Sequence, residues 1–199
     1  MAVIPLPTIA KFDGLQWTPR FRNQVNKSGW SGNRKVMGLP GGESFAVSAS
    51  PRPAFTMASE RLWRAFIMRL RGAENHFYLP FACNQFVAGT TNPAVSVGTP
   101  AVAGNSFATL TGIPAGGLKA GMGLTFSLSD GTKQLVVVLL DAAAGTQVVT
   151  FEPSLRKVAT GNVEALNPYA EVAMTKDNTG WSVNDGRFMV AFDAEEAWG

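Results

Sequence analysis

The chain has 199 residues, 46% of them hydrophobic, with one cysteine, one histidine and a formal net charge of +3. That apolar content can bury a core in one large or two small domains, and a lone Cys83 excludes both an intramolecular disulfide framework and a zinc site of paired cysteines. No basic segment followed by an apolar run opens the sequence, and no run reaches the roughly 18 apolar residues that a span requires, so the chain reads as soluble, without membrane insertion.

The charge is uneven along the sequence. Residues 1–80 hold 11 Lys or Arg against 4 Asp or Glu, and residues 81–199 hold 6 against 10. A basic half suits nucleic acid; opposite charges on one molecule suit head-to-tail self-association. Ordinary solvated charge would give the same counts.

Taken in order, the first 26 residues carry Pro5, Pro7 and Pro19, which preset extended backbone and remove ladder donors, predicting an arm or edge segment. "SGWSGNRKVMGLPGGESFAVSAS" then predicts a hairpin, with turn chemistry at Gly38 to Gly42 and Phe45, Val47 and Ala49 alternating with Ser44, Ala46, Ser48 and Ser50. One helix is predicted at about 57–71: Thr56 caps it, Leu62, Phe66 and Leu70 recur beside Trp63 and Ile67, and Gly72 stands at the C′ position. Arg61, Arg64, Arg69 and Arg71 fall largely off that stripe, and no aromatic residues interleave with them for base stacking.

"NHFYLPF" predicts the next strand, and the small, polar residues 87–103 predict a linker. Short strands follow in close succession, at Phe107 to Leu110, Leu124 to Leu128, Gln134 to Leu140, Gln147 to Phe151 and Glu171 to Thr175, separated by "SDGTK" and "DAAAGT". The closing stretch alternates Trp181 and Val183, a turn at Asn184 to Gly186, then Phe188, Val190 and Phe192, in the aromatic style of the first 80 residues. Its place is therefore in the first sheet. The predicted fold is mainly β: residues 1–95 plus 176–199 as a β-sandwich with one helix, and residues 104–175 as an inserted small β-barrel or β-sandwich, tolerated because loop closure costs grow slowly with length.

Chemistry is sparse. His76 stands beside Asn75 and Phe77 with no cysteine or carboxylate cluster in its sequence neighbourhood, which suits capping or packing. There is no HExxH or paired-cysteine spacing for a metal, no GxSxG elbow, and "GIPAGGLKAGMG" lacks both the GxGxxG order and a GK[ST] ending, so it reads as turns. Cys83 reads as a small buried apolar residue. Asp193, Glu195 and Glu196 offer paired carboxylates with no visible partner for glycoside chemistry. The expectation is no catalytic residue, no metal and no cofactor, with these acids at a subunit interface.

The order of features carries a resemblance. A Trp-containing arm, a hairpin, a helix ending "RAFIMRLRG", the strand "NHFYLPF", an inserted β unit with "GIPAGGLKAGMGLTF" and "VTFEPSLR", and the closing "WSVNDGRFMVAFDAEEAW" together resemble distal tail and related minor tail proteins of long noncontractile-tailed bacteriophages. The resemblance covers nearly the whole chain through short motifs, matched at Leu70 to Gly72, Pro153 to Arg156, Trp181 and Glu195 to Trp198. It implies a tail-tube-like fold assembling as a ring, often a homohexamer, in the virion. The implied partners are the tail tube protein and tail-tip or hub proteins, with DNA only passing through the lumen. The compact insertion differs from the long carbohydrate-binding domain of larger relatives, which puts a host-sugar role in doubt. Candidate interface residues are Arg61, Arg64, Arg69 and Arg71 on the helix and Asp193, Glu195 and Glu196 near the end. The alternatives are a head-to-tail connector or tail-completion ring, and a glycan- or nucleic-acid-binding module.

Overall fold

A computed structural model describes residues 2–21, 23–38, 43–81, 94–177, 179–184 and 187–197. Cys83, Asp185, Gly186 and Trp198 lie outside the described residues. The chain is mainly β, with one α-helix among the described residues, and divides into two units. The first comprises Met1–Thr18, Phe45–Ala82 and Tyr169–Gly199; the second comprises Pro19–Ser44 and Cys83–Pro168.

The first unit is built on a five-stranded sheet in the order β1 (Phe12–Arg20), β4 (Ser44–Pro51), β14 (Phe192–Glu196), β11 (Tyr169–Met174), β5 (His76–Pro80). β4 alternates as its sequence predicts, with Phe45, Val47 and Ala49 buried and Ser48 and Ser50 exposed. The last strand does return to the first sheet, pairing antiparallel with β4 on one side and β11 on the other. The strand expected at Glu171 to Thr175 lies here too, in register with β5 from Tyr169↔Pro80 to Ala173↔His76, and not in the inserted unit. Beyond β5, Val3 bridges His76, with the Ile4 N–H donating to the His76 carbonyl at 2.7 Å, so the N-terminal segment covers that sheet edge.

Helix α1 (Met57–Leu70) begins where the Thr56 side chain accepts the Ser59 N–H at 3.2 Å and ends with Arg71 and Gly72 in the left-handed region at φ 51 and 65. Its buried side chains are Trp63, Phe66, Ile67 and Leu70; Leu62, expected in the stripe, is exposed. Edge-to-face rings run from Trp63 to Phe66, Phe66 to Phe77 and Phe77 to Phe192, tying the helix to β5 and β14. The hairpin expected in the first unit's sheet, β12 (Trp181–Asn184) with β13 (Arg187–Val190), does not join it: only β14 pairs there, and β12 and β13 form a two-stranded sheet of their own that bridges Ala54 through Phe188.

The second unit holds the antiparallel sheet β6 (Ser96–Val97), β7 (Phe107–Ile113), β10 (Gly145–Glu152), β9 (Lys133–Val138), β8 (Gly123–Ser127), in that spatial order. Four strands expected between 107 and 151 are all present, and the end of the expected linker contributes β6 and the buried Val95 and Ala101. Residues 87–93 of that segment lie outside the described residues. Ala159 to Glu164 bridges both edges of the sheet, at Ser96↔Asn162 and Thr125↔Glu164, curling it around a core that includes Leu110, Leu124, Phe126, Val136, Val149 and Phe151. The glycine-rich 112–123 stretch is a turn, as predicted: Gly117 has φ 73, and a Cβ there would stand 2.1 Å from the Ala142 carbonyl oxygen. The same unit carries the hairpin β2 (Asn23–Lys27) with β3 (Arg34–Gly38). This replaces the hairpin expected to turn at Gly38 to Gly42, since β3 pairs back onto β2 and β4 joins the first sheet.

Candidate functional site

The helix arginines divide in use. Arg61 and Arg69 are exposed on the solvent side of α1. Arg64 pairs with Glu60 one turn back, and its guanidinium carbon lies 5.5 Å from the Trp181 ring centre and 5.7 Å from that of Phe188, so it fastens the terminal hairpin to the helix. Arg71 at the helix end reaches Glu74 at 3.4 Å. Of the predicted acids, Asp193 is exposed, 3.7 Å from Lys176, and Glu195 is half-buried. Glu196 is only 1% exposed and accepts the Phe45 N–H at 3.1 Å. It is an internal acceptor joining β4 to β14, which removes it from the surface set. Alternation in a strand explains this: Phe192, Ala194 and Glu196 share the buried face.

His76 packs as its lone position suggests, yet with a partner distant in sequence. Its Nδ1 lies 3.3 Å from Glu171 Oε1, with both residues buried between β5 and β11. Burial, and then the Glu171 carboxylate, raise the pKa of the neighbouring Tyr78 hydroxyl above its usual value, and the Tyr78 ring packs against Tyr169 at 4.8 Å with the ring planes tilted by 48°. Two clefts of about 480 and 290 Å³ in the first unit share Trp181. Asp13 is the ionisable group in the larger; Arg71 and Asp177 line the smaller, where Asp177 also accepts the Ala73 N–H at 3.3 Å. Among the described residues no three His, Cys, Asp or Glu side chains gather as a metal site, and no helix is long and apolar enough to cross a membrane.

The most exposed element is the β2–β3 hairpin. Every residue from Asn23 to Met37 is exposed, and Trp30 in its turn is fully so. The turn is well formed: Ser28 donates to the Asn33 carbonyl at 2.9 Å, Gly32 to the Ser28 carbonyl at 3.0 Å, and Gly32 has φ 67. Register places Val25 opposite Val36 and Lys27 opposite Arg34, which puts an apolar pair and a cationic pair on one face. A two-stranded hairpin is only marginally stable alone in water.

A second feature of this unit centres on Glu43 and Glu152. The buried Gln134 amide positions the chain beneath them, donating to the Ser154 carbonyl at 2.9 Å and accepting from the Arg156 N–H at 3.0 Å. Ser154 N–H in turn donates to Glu43 Oε2 at 3.3 Å, Arg156 Nη2 to the Glu43 carbonyl at 3.3 Å, and Ser106 Oγ to Glu152 Oε1 at 3.2 Å. Burial and then the adjoining Glu43 carboxylate push the Glu152 carboxyl above its ordinary value. No family model matches the sequence, and no curated protein matches it. The hairpin and the acid pair were not among the predicted site residues. The signal for the hairpin was available: residues 14–42 contain five Lys or Arg and no Asp or Glu. The acid pair brings together residues 109 positions apart, which the sequence alone does not reveal.

Proposed function

We propose that the chain is a nonenzymatic structural virion protein that forms a ring at the distal end of a phage tail tube, joining tube to tip. The observation that carries this reading is the hairpin Asn23–Gly38, whose Val25, Val36, Met37 and Trp30 are exposed on an element too small to need them for its own core. Such a face is suited to a neighbouring subunit, and a fully exposed tryptophan suits the centre of a contact. The resemblance in element order and the opposed charges of the two parts of the sequence agree with it. A ring uses one face of each subunit against a different face of the next. Arg61, Arg69 and Asp193 remain exposed for further contacts with tube, hub or neighbouring subunits.

The test is sedimentation of the purified chain beside a triple variant, Val25→Ser, Val36→Ser and Trp30→Ser. The parent assembles, and the variant stays monomeric with an unchanged thermal transition; equal assembly of both removes the hairpin as support. A nucleic-acid-binding module is the second reading, favoured by Lys27, Arg34 and Lys35 beside Trp30. It requires the monomer to bind DNA with an affinity that falls steeply with salt.

A further inference from the structure

The outer face of α1 carries apolar and cationic side chains that the first unit's own packing does not use. Ala58, Arg61, Leu62, Ala65, Met68 and Arg69 recur at three- and four-residue intervals on the side away from the buried Trp63, Phe66, Ile67 and Leu70, so they share one face. All six are exposed, Met68 by 68% and Leu62 by 44%. Arg61 and Arg69 make no ion pair among the described residues, and the helix's one carboxylate, Glu60, is taken by Arg64. The unpaired charge on this face is therefore all positive. Met68 also lines the 290 Å³ cleft at the C-terminal end of the helix, whose apolar wall includes Ile67, Leu70, Met174 and Trp181. The two ionisable groups of that cleft, Arg71 and Asp177, are opposite in sign, and Asp177 accepts the Ala73 N–H, so the cleft suits an uncharged apolar side chain. It falls just below the roughly 300–1,000 Å³ of pockets that hold a whole small ligand.

We infer that this face and the cleft together dock an acidic amphipathic helix of a partner protein, one apolar side chain of which fills the cleft beside Met68 while two of its carboxylates meet Arg61 and Arg69. The occupant follows from spacing and charge. Ala58, Arg61, Leu62 and Ala65 stand at i, i+3, i+4 and i+7, the four positions that outline the hole receiving a side chain of a packed helix, and the two short alanines permit a close approach. Arg61 and Arg69 lie eight residues apart, about 12 Å along the axis, which matches carboxylates seven or eight residues apart on a second helix. A second copy of α1 does not qualify, because its unpaired charges are positive too. Nor does a lipid surface, since arginines interrupt the exposed face and the wide apolar sector of the helix is already buried. The contact goes beyond the ring reading and holds whether or not the chain assembles with itself.

Two synthetic helical peptides test it by calorimetric titration of the purified full chain, each about three heptads long with a leucine seam, one flanked by glutamates and the other by lysines. The acidic peptide binds, more weakly as salt rises, and the basic one does not. Arg61→Glu with Arg69→Glu weakens the acidic peptide at least about 10-fold by setting like charges together, and transfers binding to the basic peptide. Met68→Ser weakens it about 5-fold, a loss that long-range attraction alone would not show. All three side chains are exposed, so the thermal transition stays that of the parent. Failure of the acidic peptide to bind, equal binding of both peptides, or binding unchanged by the α1 substitutions overturns the proposal. In the last case, loss of binding on Lys27→Ser with Arg34→Ser assigns the peptide to the β2–β3 hairpin. Cosedimentation of the parent with phosphatidylserine vesicles, abolished by Arg61→Glu with Arg69→Glu, would give the face to a membrane and overturn the proposal likewise. None of these outcomes bears on ring closure, which the native mass reads separately.

Discussion

Replacing Phe77 by Ala removes the ring on which the first unit's packing converges. Phe77 is fully buried on β5, and its ring meets Phe66 of α1 at 5.4 Å and 87° and Phe192 of β14 at 5.6 Å and 81°. A buried Phe→Ala change costs roughly 3–5 kcal/mol, and two edge-to-face contacts place this one at the upper end, about 5 kcal/mol. With a urea slope of about 1–3 kcal/mol per molar for a small domain, the midpoint drops by roughly 2 M. Trp63, 5.8 Å from Phe66, provides a fluorescence probe within the same unit. Phe107→Ala is the control: Phe107 is 51% exposed, and its loss shifts stability by no more than about 0.5 kcal/mol. A Phe77→Ala cost below about 1.5 kcal/mol would refute the account of this core.

Two further outcomes follow from the second unit. Gly117→Ala meets both a left-handed φ of 73 and the Ala142 carbonyl, whereas Gly131→Ala meets φ 87 with open space around it. Thermal melts should show the former costing at least about 1 kcal/mol more than the latter, which carries only the conformational penalty of about 1–2 kcal/mol; equal costs would show that the close approach to Ala142 is unimportant. Glu152 has a folded-state pKa raised above its ordinary 4.5, so its ionised form opposes folding above that raised value, and the penalty fades as pH falls through it. At protein concentrations that keep the chain dissociated, Glu152→Gln therefore raises the melting temperature at neutral pH, and the gain disappears below about pH 4. A gain that persists unchanged at low pH would contradict this.

Much of the fold is legible in the sequence because its signals are local. Thr56 and Gly72 bound α1, and the alternation of Phe45, Val47 and Ala49 gives β4 its buried face. What escapes is pairing over distance. The strand Tyr169–Met174 has the same short apolar character as its neighbours in sequence, so nothing local assigns it to β5 and β14 over β10. The first hairpin turns within "SGWSGN" and not at Gly38 to Gly42: both stretches are competent turns, and only the pairing of Val25 with Val36 decides between them. Of the candidate site, the cationic stretch before residue 43 is visible as composition. Which charges are already satisfied is not: Arg64 is committed to Glu60 and Trp181, and Glu196 to the Phe45 backbone, through contacts that exist only in the folded chain.

The central claim is self-assembly into a closed ring. The measurement that tests it most directly is the native mass of the purified full chain over a concentration series, with negative-stain images of the same fractions. The account predicts closed rings of about six subunits, the closure expected of a repeated head-to-tail contact. A single monomeric species throughout the series, with no annular particles, would contradict it.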